Sequence, residues 1–251
     1  MSSVIYYFSG TGNSLSAARQ LGENIGEKVN LFPIPDYIDN ASIEITEDVV
    51  GLVFPVHYLT VTGIIKKFVE RMNFKSKPYI FTVVTCNFVS GRCIFDLSEL
   101  LAEKGQQLSA GFTVVMPGNA IIDPPEVQQQ KLIASRKRLL EVSDYIKNGN
   151  FGTYEATNMK YEDIPKEEQV YITPDMFWAN QDCISCGTCS KVCPNKNIRI
   201  TEEGKPAWSS NCTTCFACFH WCPRKAVNIG QMTSGMPQYR NPEISLEELI
   251  D

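Results

Sequence analysis

Eight of the chain's ten cysteines fall in one pattern written twice: Cys183-x-x-Cys186-x-x-Cys189-x-x-x-Cys193-Pro194 and, 29 residues later, Cys212-x-x-Cys215-x-x-Cys218-x-x-x-Cys222-Pro223. Thiols at successive three-residue steps can wrap one face of a cubane iron–sulfur cluster in a single tight loop, and the last corner must be supplied from elsewhere. Zinc is served by two cysteine pairs and has no use for a third cysteine at the same step or for a proline-flanked fourth. In this run the fourth cysteine ligates the other cluster of a two-cluster protein. That rule assigns one [4Fe–4S] cluster to Cys183, Cys186, Cys189 and Cys222, and a second to Cys212, Cys215, Cys218 and Cys193. Neither half is complete alone.

Over residues 181–230 these features resemble the bacterial two-[4Fe–4S] ferredoxin family, a small α+β domain. Gly204-Lys205 reads as a hairpin between the halves, and each half ends in a short apolar stretch, at 197–200 and 226–229. Ile184, Gly187, Val192, Phe216, Ala217 and Phe219 are small or apolar, so they can exclude water and admit backbone amides to the sulfurs. His220, between two ligands, is expected to pack, and Trp178, Trp208 and Trp221 to shield the clusters. Cys86 and Cys93 lie outside the pattern and read as small buried hydrophobes.

The remainder of the chain must fold separately, since 251 residues exceed one compact domain. A composition of 43% hydrophobic and 20% charged residues is that of a globular protein. A net charge of −5 provides no basic field for nucleic acid. Residues 181–251 carry seven acids and seven bases, so the acidic excess belongs to residues 1–180. The chain starts without a basic leader and has no apolar run long enough to cross a bilayer, which leads us to expect a cytoplasmic protein. There the cysteines are metal ligands before they are disulfides.

Apolar runs at 4–8, 29–32, 49–54, 79–85 and 110–116 read as five strands. They alternate with helical periodicity at 14–25, 64–72, 93–104 and 126–147, the last opened by Pro124-Pro125. This alternation predicts an α/β domain over 1–150, a five-stranded parallel sheet covered by helices. Residues 151–180, with Pro165 and Pro174 and no sustained period, read as a linker, and 231–251 as a C-terminal tail.

The first strand runs into Ser9-Gly10-Thr11-Gly12-Asn13-Ser14 and then a helix, presenting amides and hydroxyls where a phosphate is stabilised by a helix N-terminus. A dinucleotide fingerprint would need glycine where Leu15 stands, and an acid where Asn30 stands. No lysine makes it a Walker loop. A strand-to-helix turn with ordinary capping remains the alternative.

This loop resembles that of the flavodoxin family, which implies a doubly wound sheet of order 2-1-3-4-5 and bound FMN. Two later loops would enclose the flavin ring: 55–63, from which Pro55, Val56, His57 and Tyr58 are candidates, and 85–91, from which Thr85, Asn87, Phe88 and Gly91 are. The resemblance implies that Ser9, Thr11, Asn13 and Ser14, with Gly10 and the Gly12 amide, hold the phosphate, and that His57 or Tyr58 and Phe88 touch the ring. The whole chain resembles the flavodoxin–ferredoxin fusions known as EFR1-type ferredoxins. It departs from them with His57 at a usual tyrosine, Thr60 and Thr62 at a usual glycine and proline, and Cys86-Asn87 at paired glycines. Glycine lets backbone approach the flavin edge, so these changes bear on ring position.

The expected activity is electron transfer between FMN and the clusters and on to a redox partner protein, within one chain or across a homo-oligomer. The rival readings are a flavin-dependent reductase of a small molecule fed through the clusters, and a flavin-free ferredoxin adaptor. No nucleophile or acid–base pair stands out, so no catalytic residue is named.

Overall fold

The computed structural model describes residues 2–26, 28–155 and 172–250. In chain order its elements are β1 (Ser3–Tyr7), α1 (Asn13–Ile25), β2 (Val29–Pro33), β3 (Ile43–Ile45), β4 (Val49–Pro55), α2 (Gly63–Arg71), β5 (Met72–Phe74), β6 (Tyr79–Cys86), α3 (Cys93–Glu103), β7 (Leu108–Val115), α4 (Pro125–Lys147) and β8 (Thr153–Tyr154). Then follow β9 (Phe177–Ala179), α5 (Thr188–Lys191), β10 (Ile198–Ile200), β11 (Pro206–Trp208), α6 (Ala217–His220), β12 (Val227–Ile229) and α7 (Leu246–Ile250).

The main sheet has the order β2-β1-β4-β6-β7-β8, every pair parallel. Its five long strands therefore stand 2-1-3-4-5, the flavodoxin-type doubly wound arrangement with its switch point beside β1. The sheet is six-stranded rather than five, because Thr153–Tyr154 adds a short edge against Ala110 and Gly111. Residues of β4 and β6 are buried almost without interruption, as central parallel strands covered on both faces must be. Gly51 in β4 admits the Phe81 ring, which would lie 2.4 Å from any Cβ placed there. Among the described residues no helix is long and apolar enough to cross a membrane.

The cysteine-rich module is built twice on the 29-residue offset. β9, α5 and β10 recur as β11, α6 and β12 at that spacing. Positive φ recurs with them, at Ser185 and Thr214, Gly187 and Phe216, Lys196 and Lys225. The halves then exchange strands: β10 pairs with β11, and β12 reaches back to β9, both antiparallel. Phe177 from one half stacks on Trp208 from the other at 5.3 Å between centroids.

Two boundaries read from sequence need correction. The expected linker 151–180 contains β8, which belongs to the main sheet, and β9, which completes the cysteine module. Residues 156–171, with Pro165, lie outside the described residues. The expected tail is packed: Tyr239, Asn241 and Ile244 are buried, and Ile244 joins the core of the main sheet domain.

Candidate functional site

Two cavities in the cysteine module sort the ligands. One, of about 350 Å³, is lined by Cys183, Cys186, Cys189 and Cys222; the other, of about 370 Å³, by Cys193, Cys212, Cys215 and Cys218. These are the crossed quartets expected from the proline-flanked fourth cysteine. Backbone amides aim at the sulfurs at matching places in the two halves: Asn197 N–H donates to Cys193 Sγ at 3.3 Å, and Ala226 N–H to Cys222 Sγ at 3.2 Å. Burial lifts the Cys189 thiol to about 11, with the other three sulfurs of its quartet also raising it, and pushes Cys215 and Cys218 well up. Four thiolates brought this close, two of them buried in each quartet, would repel one another; an iron centre is what can hold such a set as anions. The Trp208 Nε1–H, at the wall of the second cavity, is directed at the Cys218 sulfur, where it works against the rise that burial gives that thiol. No three His, Cys, Asp or Glu side chains among the described residues converge on a single-ion position. The quartets thus fit cubanes in residue type, grouping and polarity.

A third cavity, of about 590 Å³, opens at the carboxyl ends of β1, β4, β6 and β7. This is where ligands bind in open α/β sheets. Ser9, Gly10, Thr11, Asn13, Ser14, Pro55, Val56, Thr85, Asn87 and Phe88, all expected from sequence, line it. α1 starts here without a capping side chain, leaving its first amides for an anion. Among the described residues no charged side chain lines the cavity. A phosphate monoester joined to an uncharged ring system suits that lining.

Four expected residues stand elsewhere. Gly12, at φ +95, turns its α-carbon toward Asn241 and Ile244. Gly91, at φ +56, packs on Leu59, whose carbonyl would lie 2.2 Å from a Cβ there. His57 and Tyr58 turn away into a separate groove, because Tyr58 and Leu59 both adopt positive φ in a tight turn closed by Thr60 N–H to His57 O. Phe88 stands at the cavity rim, 61% exposed.

The sequence reading missed the wall made by Met116 to Ile121, the loop after β7, and assigned no role to Cys86, which also lines the cavity. Pro117-Gly118-Asn119 was the available signal for that loop. Its partner wall is held by Lys131 from α4, which pairs with Asp123 at 2.9 Å, donates to the Asn87 carbonyl at 3.2 Å and lies over the Phe88 ring.

The cysteine module closes against this cavity. Trp221 Nε1–H donates to Gly10 O at 2.9 Å, and Asn119 Nδ2–H to Cys215 O at 3.1 Å. The Cys215 carbonyl would come within 2.8 Å of a Cβ at Gly10. His220 accepts from Tyr239 N–H at Nδ1, which fixes the proton on Nε2, and that N–H donates to Asn119 O at 2.7 Å. His220 therefore does more than pack: it ties the cluster loop to the cavity wall. Trp178, expected as a shield, is 48% exposed. The C-terminal segment completes the enclosure, with Tyr239 O–H and Asn241 Nδ2–H both donating to Asn13 Oδ1 and Asn241 N–H to Thr11 O.

Residues 176–223 match the family described as the 4Fe-4S dicluster domain. No curated protein matches the chain by sequence. Among solved structures the chain is similar to an FMN-dependent NADH-azoreductase from Bacillus anthracis in complex with FMN, at 12% identity over 59% of this chain and all of that one, with a TM-score of 0.40. It is also similar to the Trp repressor binding protein from Bacillus subtilis, at 12% identity, 55% and 96% coverage and a TM-score of 0.39. Rubredoxin oxygen:oxidoreductase from Desulfovibrio gigas shares 18% identity over 57% of this chain and 36% of that one, with a TM-score of 0.34. Scores this low add nothing to what the sheet order itself states.

Proposed function

We propose that the chain is an electron-transfer flavo-iron–sulfur protein, holding FMN in the cavity at the head of the sheet and two [4Fe–4S] clusters in the crossed quartets. FMN exchanges electrons in pairs or singly and each cubane carries one at a time, so the pair supplies two-to-one electron conversion. The observation that carries this reading is the shared wall: the loop bearing Cys215 packs directly on Gly10 of the phosphate loop, with Asn119 bridging the two. The second quartet thus stands next to the cavity, and the first stands outward, with Cys186 exposed and Ile184 60% exposed. That order gives a path from cavity to surface, ending where a redox partner protein can approach.

In this arrangement Thr11 and Ser14, with the amides at the start of α1, bind the phosphate. Asn13 holds the loop's shape, because its carboxamide is engaged by Pro117, Tyr239 and Asn241. Trp221 and His220 exclude water between the modules, both being buried. The reading extends the resemblance to the EFR1-type fusions, with a flavin unit, a cluster unit that begins at β9, and a C-terminal segment clasping both. Its test is anaerobic quantification of iron, sulfide and FMN per chain, with about eight iron atoms expected for two cubanes, followed by stopped-flow reduction. A concentration-independent phase between flavin and cluster signals supports it; cluster-replete protein that takes up no added FMN would reduce it to a ferredoxin adaptor.

A further inference from the structure

The groove into which His57 and Tyr58 turn is distinct from the sheet-head cavity. It lies between the loop after β4 and the segment carrying Cys212, and is open to solvent along its length. Among the described residues Lys67 is the single cation that lines it, and no carboxylate does. Two of its wall residues, His57 and Thr62, are 8% and 7% exposed, and His57 Nε2 and Thr62 Oγ1 have no hydrogen-bond partner among the described residues. Buried polar atoms without partners are costly, so a bound group that supplied a donor to His57 Nε2 and a partner to Thr62 Oγ1 would be favoured here.

The chemistry of that group follows from the residues. α2 begins at Gly63 with no side-chain cap, and its first bonds are Ile65 N–H and Lys66 N–H to Thr62 O, so the Gly63 and Ile64 amides precede the ladder. Lys67 stands one turn along the same face and reaches across to Asn211 Oδ1 at 3.4 Å. Asn211 is itself pinned, accepting from Asn195 at 2.9 Å and donating to Asn197 at 2.8 Å. The His57 Nδ1–H faces Thr213 O at 3.2 Å, which leaves Nε2 as an acceptor. The groove therefore offers a positive end and, beside it, an acceptor that needs a donor.

We propose that this groove binds a small hydroxyl-bearing oxoanion, a phosphate monoester or a carboxylate, with the anion at the start of α2 and Lys67 and a hydroxyl toward Thr62 and His57. Cys212 lines the same groove, so the ligand sits against the second cysteine quartet.

Calorimetric titration of iron-replete, FMN-saturated protein in a zwitterionic buffer tests this, with glycerol 3-phosphate, glycerate and glycerol as probes. Saturable binding of either anion is expected, weakened at least tenfold in Lys67→Gln and in Thr62→Val, with glycerol silent. Preference between the two anions assigns the headgroup. Lys137→Gln, which removes an exposed cation of α4 that lines neither cavity, is the control and leaves the titration unchanged. Binding as tight in Lys67→Gln and Thr62→Val as in the native chain would overturn the proposal, as would failure of both anions to saturate. Iron and flavin content, measured on the same samples, report separately on the electron-transfer reading.

Discussion

The indole of Trp221, one residue before the last cysteine of the second motif, donates to the carbonyl of Gly10 at the tip of the first strand's loop, 211 residues away in sequence. Both partners are buried, and this bond is one of the few polar links between the modules that water does not reach. Removing the donor strands a buried carbonyl. Trp221→Phe keeps most of the apolar contact and should cost roughly 1–3 kcal/mol, read as a lower urea midpoint. Because Gly10 belongs to the phosphate loop, the same variant should bind FMN more weakly by fluorescence titration. A midpoint equal to that of the native chain would show that the two modules do not rely on this contact.

The proposed crossed ligation makes an asymmetric prediction about single cysteines. Cys193 sits in the first motif but lines the cavity of Cys212, Cys215 and Cys218; Cys222 sits in the second but lines that of Cys183, Cys186 and Cys189. Cys193→Ser should therefore spare the outward cluster and lose the one beside Gly10, while Cys222→Ser does the reverse. Each is expected to retain about half the iron under anaerobic isolation. Flavin-to-cluster transfer should fail in the first variant and persist to the remaining cluster in the second. Unchanged iron in both would remove the crossed assignment.

The grouping of the cysteines around two cavities was legible in the sequence, because a three-residue cysteine step and its proline-flanked fourth member are set by covalent spacing. The long strands and helices were legible for a similar reason: runs such as Val49 to Phe54 are apolar throughout, and each observed element begins and ends within a residue or two of the periodic stretch. β9 was not, since Phe177–Ala179 is too short to show a period and becomes a strand only by pairing with β12, some 50 residues later. The C-terminal segment is similar: Tyr239, Asn241 and Ile244 have no helical or strand spacing, and their order comes from what they touch. His57 was placed on the correct loop but the wrong face, because the left-handed turn at Tyr58 and Leu59 is made by residues that rarely adopt it.

His57 also gives the protein a pH response. Burial lowers its pKa from 6.5 to about 4, although the bond to Thr213 works in the other direction. The unfolded chain takes up this proton at about pH 6.5 and the folded chain only near pH 4, so the stability is fully present above 6.5 and falls as pH drops through that window. The loss approaches about 3 kcal/mol by pH 4. His220 is lowered to about 4 as well, chiefly by burial, and adds to the same slope. Urea unfolding at several pH values between 5 and 7 should show stability falling toward acid, less steeply in His57→Gln. Identical slopes would mean that His57 is not held neutral in the folded state.

Asn13 joins α1, the loop after β7 and the C-terminal segment through one carboxamide: Nδ2 donates to Pro117 O at 2.9 Å, and Oδ1 accepts from Tyr239 at 2.7 Å and Asn241 at 3.1 Å. The side chain has been drawn into the protein, so in the proposed flavin site its part is to hold the loop rather than to touch the phosphate. Outside the loop, Glu243 continues the clasp, accepting from Ser16 at 2.7 Å and pairing with Arg136. If the clasp sets the loop, Asn241→Ala, which lies beyond the cavity lining, should weaken FMN binding in the same direction as Asn13→Ala, with iron content intact. Asn13→Ala should also lower the unfolding midpoint, since it leaves the buried Pro117 carbonyl and Tyr239 hydroxyl unpaired at about 1–3 kcal/mol each. Direct coordination of phosphate by Asn13 gives a different pattern: flavin affinity falls in Asn13→Ala alone and Asn241→Ala binds as the native chain does.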